Sequence, residues 1–393
     1  EIRNAKTLGT LADPINNLLK PLFPENHPYI VEEWVSTGSF TSNNNLDIAE
    51  SLFLSYATRD LRYTDSIGSN SWVVSGVHTE SGYPILANDP HLSAQLPPIW
   101  YENGLHCYPY GPSCTLDVTG LSFAGSPYVI IGHNSTSAWG FTNMGPDVQD
   151  LYIEKINPSN QNQYEVDGEW VEMDRFTEII YLPNEDPIII EVRETNHGPL
   201  ISDRDFPINN TEFAEQSRIK LPENYAISLS WTALYPGQTF QAIRDFNYMK
   251  TYEEFREASK NFHVPAQNLL YADVEGNIAY QSPGLVPIRA AGHTGQYPIE
   301  GWNSSNDWEG FVPFESLPYS LNPSSGYIIT ANQSIHPDQP WIDSHNKGYR
   351  AQAIRRVIEN KLPEKISVDD VMVMQINNYD YSPVYILPYI FDS

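Results

Sequence analysis

The chain is short of positive charge. It has 22 lysines and arginines against 49 acidic residues, a net charge of −27 over 393 residues. Such a surface repels phosphate backbones and anionic headgroups, which argues against nucleic acid and anionic membranes as partners. Cysteine is nearly absent: Cys107 and Cys114, in HCYPYGPSC, are the two. Their spacing allows a small disulfide loop or two free thiols. No run of 18 apolar residues occurs, so no helical membrane span is expected. No signal peptide is visible. Residue 1 is an ordinary Glu and the last residues are YILPYIFDS, so both ends read as cuts inside a longer protein and location is not legible. The sequence has no HExxH and no GxSxG around its candidate serine, which argues against zinc and a nucleophile elbow.

What is present speaks for a folded core. Aromatics make up 12% and hydrophobic residues 40%, too much for a solvated acidic tail. Residues 1–68 read as mostly helical, with Asn45 capping the face Leu46, Ile48, Ala49, Leu52, Phe53 and Tyr56. From Ser71 the pattern changes to strands: SWVVSGV, PYVIIGH, FTEIIYL from Phe176, PIIIEVRE from Pro187 and AISLSW from Ala226. A helix returns at Thr251, where Thr251 and Glu254 form a capping box and Tyr252, Phe255 and Phe262 the apolar stripe. LLYADVEGNIAYQS then reads as strands around a turn at Glu275-Gly276. A further helix is expected over about 349–360, ending before Pro363, and Ser367 with Asp370 boxes the next. Helices before and after long strand runs point to sheets layered with helices, not to a Rossmann alternation.

The chemical signal begins at Gly68-Ser69-Asn70-Ser71-Trp72, where helix gives way to strand. By itself that is a turn. Five companions follow in order: Asn88-Asp89-Pro90-His91-Leu92, Trp139 to Asn143 (WGFTN), Asp147-Val148-Gln149-Asp150, Gln267 to Asp273 (QNLLYAD) and Pro287-Ile288-Arg289. As a set they resemble the penicillin acylase family of N-terminal nucleophile hydrolases, to which cephalosporin and acyl-homoserine lactone acylases are similar. The resemblance runs from FPENHPYI to GYRAQAIRRVI.

It implies an α+β fold, the four-layer α/β/β/α sandwich. It also implies a processing junction: residues 1–68 would be the end of one chain, and 69–393 the start of a second, beginning at the nucleophile. The chemistry is consistent. A serine hydroxyl needs a neighbouring base. Cleavage before Ser69 would give it an α-amine with a pKa near 7.7–8.0, part neutral at pH 7–8. Gly68 would tolerate a strained junction. By resemblance, the Asn143 backbone N–H and the Asn268 side-chain amide form the oxyanion hole, and the His91 carbonyl or ring orients the amine. Arg289 would hold Asn268 or a substrate carboxylate, with a surface ion pair as the alternative reading. The family's calcium loop matches Asp147, Gln149 and Asp150, with Glu1 and Pro236 as further ligands, for one structural Ca²⁺. An acidic turn without metal is the other reading.

The expected function is therefore hydrolysis of an N-acyl amide, such as a β-lactam antibiotic nucleus carrying an acyl group. Acyl-homoserine lactone or lipopeptide acylase is the alternative, and a non-catalytic extracellular binding protein on the same scaffold is the rival of another class. The expected partners are a small N-acyl amide and the remaining segments of the same precursor. An extracellular or periplasmic location follows from the resemblance alone.

Overall fold

The structure is a computed structural model that describes residues 28–32, 68–203, 221–293, 297–336 and 348–381, with a few short pieces beside them. The helix expected after Asn45, and most of the segment before the junction, lie outside the described residues. The strands that build the site are β1 (Asn70–Val74), β2 (Ile85–Asp89), β3 (Trp100–His106), β4 (Asp117–Phe123), β5 (Ile131–Asn134), β6 (Ser137–Asn143), β7 (Gln149–Lys155), β8 (Tyr225–Trp231), β9 (Gln267–Asp273), β10 (Ile278–Gln281), β11 (Tyr319–Leu321) and β12 (Tyr327–Thr330). Four helices pack on them: α1 (Thr239–Tyr248), α2 (Tyr252–Ser259), α3 (Tyr349–Lys361) and α4 (Val368–Gln375).

Side chains alternate across a strand, so each strand here feeds two cores. On β1, Trp72 and Val74 join Ile329, Ala351, Ile358 and Val371, beneath α3 and α4. Val73 points the other way, into a cluster with Leu270, Tyr280 and Ile328. On β9, Leu270 and Ala272 enter that same middle cluster, while Leu269 and Tyr271 face Phe246, Phe255 and Phe262 of the α1–α2 region. Burying each such side chain contributes about 1.5–3 kcal/mol.

The layers follow directly: α3 and α4, the antiparallel sheet β2-β1-β12, the seven-stranded antiparallel sheet β11-β10-β9-β6-β5-β4-β3, then α1 and α2. This is the expected α/β/β/α sandwich. The two sheets approach closely at Gly140 of β6. A β-carbon there would lie 2.8 Å from Asn88 Oδ1 and 3.0 Å from Ser71 Oγ, so glycine permits the approach. Asn88 uses it: its side chain donates to the carbonyls of Asn70 and Phe141 and accepts from the Phe141 N–H. That stitch ties β1 to β6, the strands whose ends carry the site.

Thr251 caps α2 by accepting from Glu254 N–H, and Ser367 with Asp370 forms a reciprocal capping box on α4. The segments from Phe176 and Pro187 pair as one hairpin, Asp174–Ile180 with Ile188–Thr195. Helix α1 is not marked in the sequence. Gln238 precedes it without a capping side chain, and its stability comes from burying Ala242, Ile243 and Phe246. Cys107 and Cys114 are joined in a disulfide, resolving the two sequence alternatives. Among the described residues, no helix is long and apolar enough to cross a membrane.

Candidate active site

Ser69 sits just before β1, 6% exposed, at the end of the sandwich where β1 and β6 converge. Its Oγ accepts from the Asn143 backbone N–H at 3.3 Å and from Asn332 Nδ2 at 3.2 Å. Its backbone N–H donates to Asn332 Oδ1 at 2.9 Å, and its carbonyl accepts from Arg350 at 2.8 Å. No histidine, lysine, aspartate or glutamate side chain among the described residues hydrogen-bonds the Ser69 hydroxyl.

Gly68 is held beside this group. Its N–H donates to the His91 carbonyl at 3.1 Å. Its φ is not left-handed, so a strained backbone is not why glycine stands here. The reason is room: a β-carbon would lie 2.8 Å from His91 Nε2 and 3.0 Å from an Arg350 nitrogen. His91 therefore meets the junction twice, with its carbonyl on Gly68 and its ring against it. The ring is anchored through Nδ1 to the Asp89 carbonyl and carboxylate.

Asn268 lies opposite Thr142 in the β9–β6 ladder and is 1% exposed. Its amide donates to Thr142 Oγ1 at 3.1 Å and to the Asn143 carbonyl at 3.2 Å. The Tyr280 hydroxyl donates to its Oδ1 at 2.7 Å, which fixes the amide nitrogen on the Asn143 side. Burial pushes the Tyr280 pKa well above its ordinary value, so it stays a donor. Ser69 and Asn268 thus converge on Asn143, one on its N–H and the other on its carbonyl.

Arg289 lies in a different cluster. It forks onto Asp150 at 2.7 and 3.1 Å and reaches Asp147 Oδ2 at 2.9 Å. The Trp308 indole also donates to Asp150, which is fully buried. The Arg289 side chain is 8% exposed, with Asp147 at 17% and Asp150 at 0%, so these ion pairs lie beneath the surface. This arrangement tests the calcium expectation. One guanidinium bonds both carboxylates, so a hard cation held there would have to displace it or share them with it. Among the described residues no group of three or more His, Cys, Asp or Glu is arranged for a metal. Gln149 begins β7, Pro236 lies on an exposed turn, and Glu1 lies outside the described residues.

A second buried cluster neighbours it. His197 Nδ1 meets Glu154 Oε1 at 2.8 Å and Nε2 meets Asp307 at 2.9 Å, with Tyr152 stacked on the ring. Burial alone would lower the His197 pKa, but Asp307 and Glu154 outweigh it and raise it.

Comparison with known proteins decides the family. A profile of the penicillin amidase family matches residues 10–393. The chain belongs to the penicillin amidase family. Within it, the chain is 32% identical over 276 residues to a penicillin G acylase of Escherichia coli, covering 70% of this chain and 30% of that protein. It is 30% identical over 288 residues to the acyl-homoserine lactone acylase QuiP of Pseudomonas fluorescens (strain Pf0-1), covering 72% and 33%. The fold is similar to that of a thermostable penicillin G acylase from Alcaligenes faecalis, with a TM-score of 0.65 and 26% identity over 78% of this chain and 51% of that one. The chain spans about a third of the length of these curated relatives.

In this penicillin amidase chain, two further residues meet Ser69, neither singled out among the candidate site residues. Asn332 follows β12 in a left-handed conformation, φ 61°, a region asparagine tolerates better than most residues. Arg350 lies in the first turn of α3 and reads in sequence as an ordinary helical arginine. Only the sandwich brings them to Ser69, across 263 and 281 residues of chain.

Proposed function

We propose that this chain carries the core of an acylase that hydrolyses N-acyl amides, with Ser69 acting as an N-terminal nucleophile after cleavage of the Gly68–Ser69 bond. One observation carries the reading. Ser69 Oγ faces a backbone N–H but, among the described residues, hydrogen-bonds no side chain able to serve as its base. A freed α-amine on the residue itself would supply a base near neutral pH.

In processing, Ser69 Oγ adds to the Gly68 carbonyl carbon. The C–N bond breaks as the hydroxyl proton passes to the amine, and water then hydrolyses the Gly68 ester. In turnover, Oγ attacks the substrate amide carbon and the amine takes its proton. The oxyanion lies against the Asn143 N–H, and Asn268 turns one N–H from the Asn143 carbonyl to the same oxygen. The protonated amine returns its proton to the leaving amine, and water releases the carboxylic acid.

The relatives' names include penicillin G and acyl-homoserine lactone acylases. Histidine at position 91 favours the second group by resemblance. We place the protein outside the cytoplasm, a reading that the Cys107–Cys114 disulfide supports. The remaining segments of the precursor are expected partners. Calcium at Asp147, Gln149 and Asp150 is part of the proposal only if Arg289 releases or shares both carboxylates, and no step above depends on it. The test is release of primary amine from phenylacetyl and fatty-acyl amides and homoserine lactones by full-length protein, with Ser69→Ala as control. Tight binding of these amides without release would favour a binding protein instead.

A further inference from the structure

Asn332 and Arg350 touch the nucleophile but have no part in the steps above. We propose that they act as a positioning pair: the Asn332 carboxamide aligns the Ser69 amine with the Ser69 hydroxyl, and the Arg350 guanidinium holds that amine unprotonated. This rests on Ser69 being the N-terminal nucleophile, and it names what makes its amine a usable base.

One planar group spans both reacting ends of Ser69. Asn332 Oδ1 accepts from Ser69 N at 2.9 Å while Nδ2 donates to Ser69 Oγ at 3.2 Å. Its orientation is fixed from outside. Nδ2 also donates to the Asn143 carbonyl at 2.8 Å, and Oδ1 also accepts from Arg350 at 2.8 Å. With an amine N–H held by Oδ1, the nitrogen lone pair is left to face the hydroxyl. The same Nδ2 supports the oxygen as it loses its proton. The left-handed backbone at Asn332 presents the carboxamide in this pose, a conformation kept only where surroundings enforce it.

Arg350 is mostly buried, and among the described residues no carboxylate lies within ion-pair distance of it. Its hydrogen bonds go to neutral oxygens: the Ser69 carbonyl, Asn70 Oδ1 and Asn332 Oδ1. Asp89, beyond bonding distance, balances part of this charge, and the rest of the field falls on the groups around Ser69. The guanidinium bonds the carbonyl of Ser69 itself, which brings its charge beside the Ser69 amine. A like charge within about 4–6 Å lowers an amine pKa by roughly 1–3 units.

The other titratable groups facing the junction are Asp89 and His91 near the end of β2, and Tyr280 behind Asn268. Asp89 is kept ionised, first by its hydrogen bond to His91 and then by Asn70. Tyr280 stays neutral. The His91 ring, anchored on Asp89 and set against Gly68, is the remaining side chain to be tested by substitution.

The experiment is sulfonylation of Ser69 in full-length protein by phenylmethylsulfonyl fluoride, followed by mass spectrometry across pH. It needs no knowledge of the substrate. Arg350→Met removes the opposing charge, and Asn332→Asp adds an attracting one, so each should move the acid limb up by about one unit or more. Arg350→Lys should leave the limb near the wild-type position. Asn332→Ala should lower the plateau about tenfold or more without raising the limb. Asn332→Asp is isosteric and reports even if Arg350→Met does not fold. Cleaved Asn332→Asp protein with a wild-type limb overturns the proposal, as does a limb that vanishes in His91→Gln. A wild-type protein in which Ser69 is never sulfonylated overturns the proposed function and this inference with it.

Discussion

Two buried polar clusters in this molecule invite comparison. One surrounds Ser69 and is built from amides, backbone groups and one arginine. The other joins Glu154, His197 and Asp307, with Ser228 and Thr195 donating to Glu154 Oε1. Judged by perturbed titration alone, the second is the better acid–base site. Its geometry says otherwise. Ser228 and His197 bond the same carboxylate oxygen rather than each other, and all three are buried. Glu154 fastens strands and loops together there. At Ser69 the groups proposed to act on its hydroxyl and the oxyanion are a main-chain N–H, a neutral amide side chain and a main-chain nitrogen, which no side-chain titration reveals.

The comparison can be broken from either side. The largest effect should be on stability, from Glu154→Ala, which takes from His197, Ser228 and Thr195 the carboxylate they share. Removing one member of a buried pair costs about 3–5 kcal/mol. Folded, processed Glu154→Ala should keep its kcat; a large loss of kcat with an unchanged melting temperature would move Glu154 into the mechanism. On the other side, Asn268→Ala should lower kcat about 10²–10³-fold, roughly 3–4 kcal/mol, with little change in KM. A stable Asn268→Ala enzyme with normal kcat would remove Asn268 from the oxyanion hole.

A smaller effect is the pH dependence of the second cluster. The folded pKa of His197 lies above its unfolded value. Its contribution to stability is therefore complete below the unfolded pKa, near 6.5, and is lost as pH rises through the folded value. Denaturant unfolding of wild type against His197→Gln should show the wild-type advantage shrinking over that rise. An advantage that grows there contradicts the assignment. The smallest expected effect concerns Arg289. Replacing it with Met frees Asp147 and Asp150, so the melting temperature of Arg289→Met should respond to calcium more than that of wild type. Identical melting with calcium and with chelator in Arg289→Met would end the calcium proposal.

Much of this was legible in the sequence because the signals are local. Thr251 with Glu254 and Ser367 with Asp370 announce helix starts, and the apolar run LLYA on β9 reads as a strand. WGFTN and QNLLYAD lie at strand ends that the fold brings side by side, so Asn143 and Asn268 emerge from motif order alone. Helix α1 lacked a cap and depends on tertiary burial. Gly68 was expected for backbone strain, whereas it serves to admit His91 and Arg350. Arg289 pairs with Asp147 and Asp150, and the sequence cannot rank which buried charge an arginine meets. Asn332 and Arg350 were invisible for the same reason: their partner is more than 260 residues away.

The central claim is that the base of this serine is its own freed amine. Intact mass and N-terminal sequencing of the full-length protein test it most directly. The account predicts a cut between Gly68 and Ser69, a new chain beginning Ser-Asn-Ser-Trp, and no cut in Ser69→Ala. Amide hydrolysis by a protein that remains joined at Gly68–Ser69, or that is cut elsewhere and stays active, would contradict it.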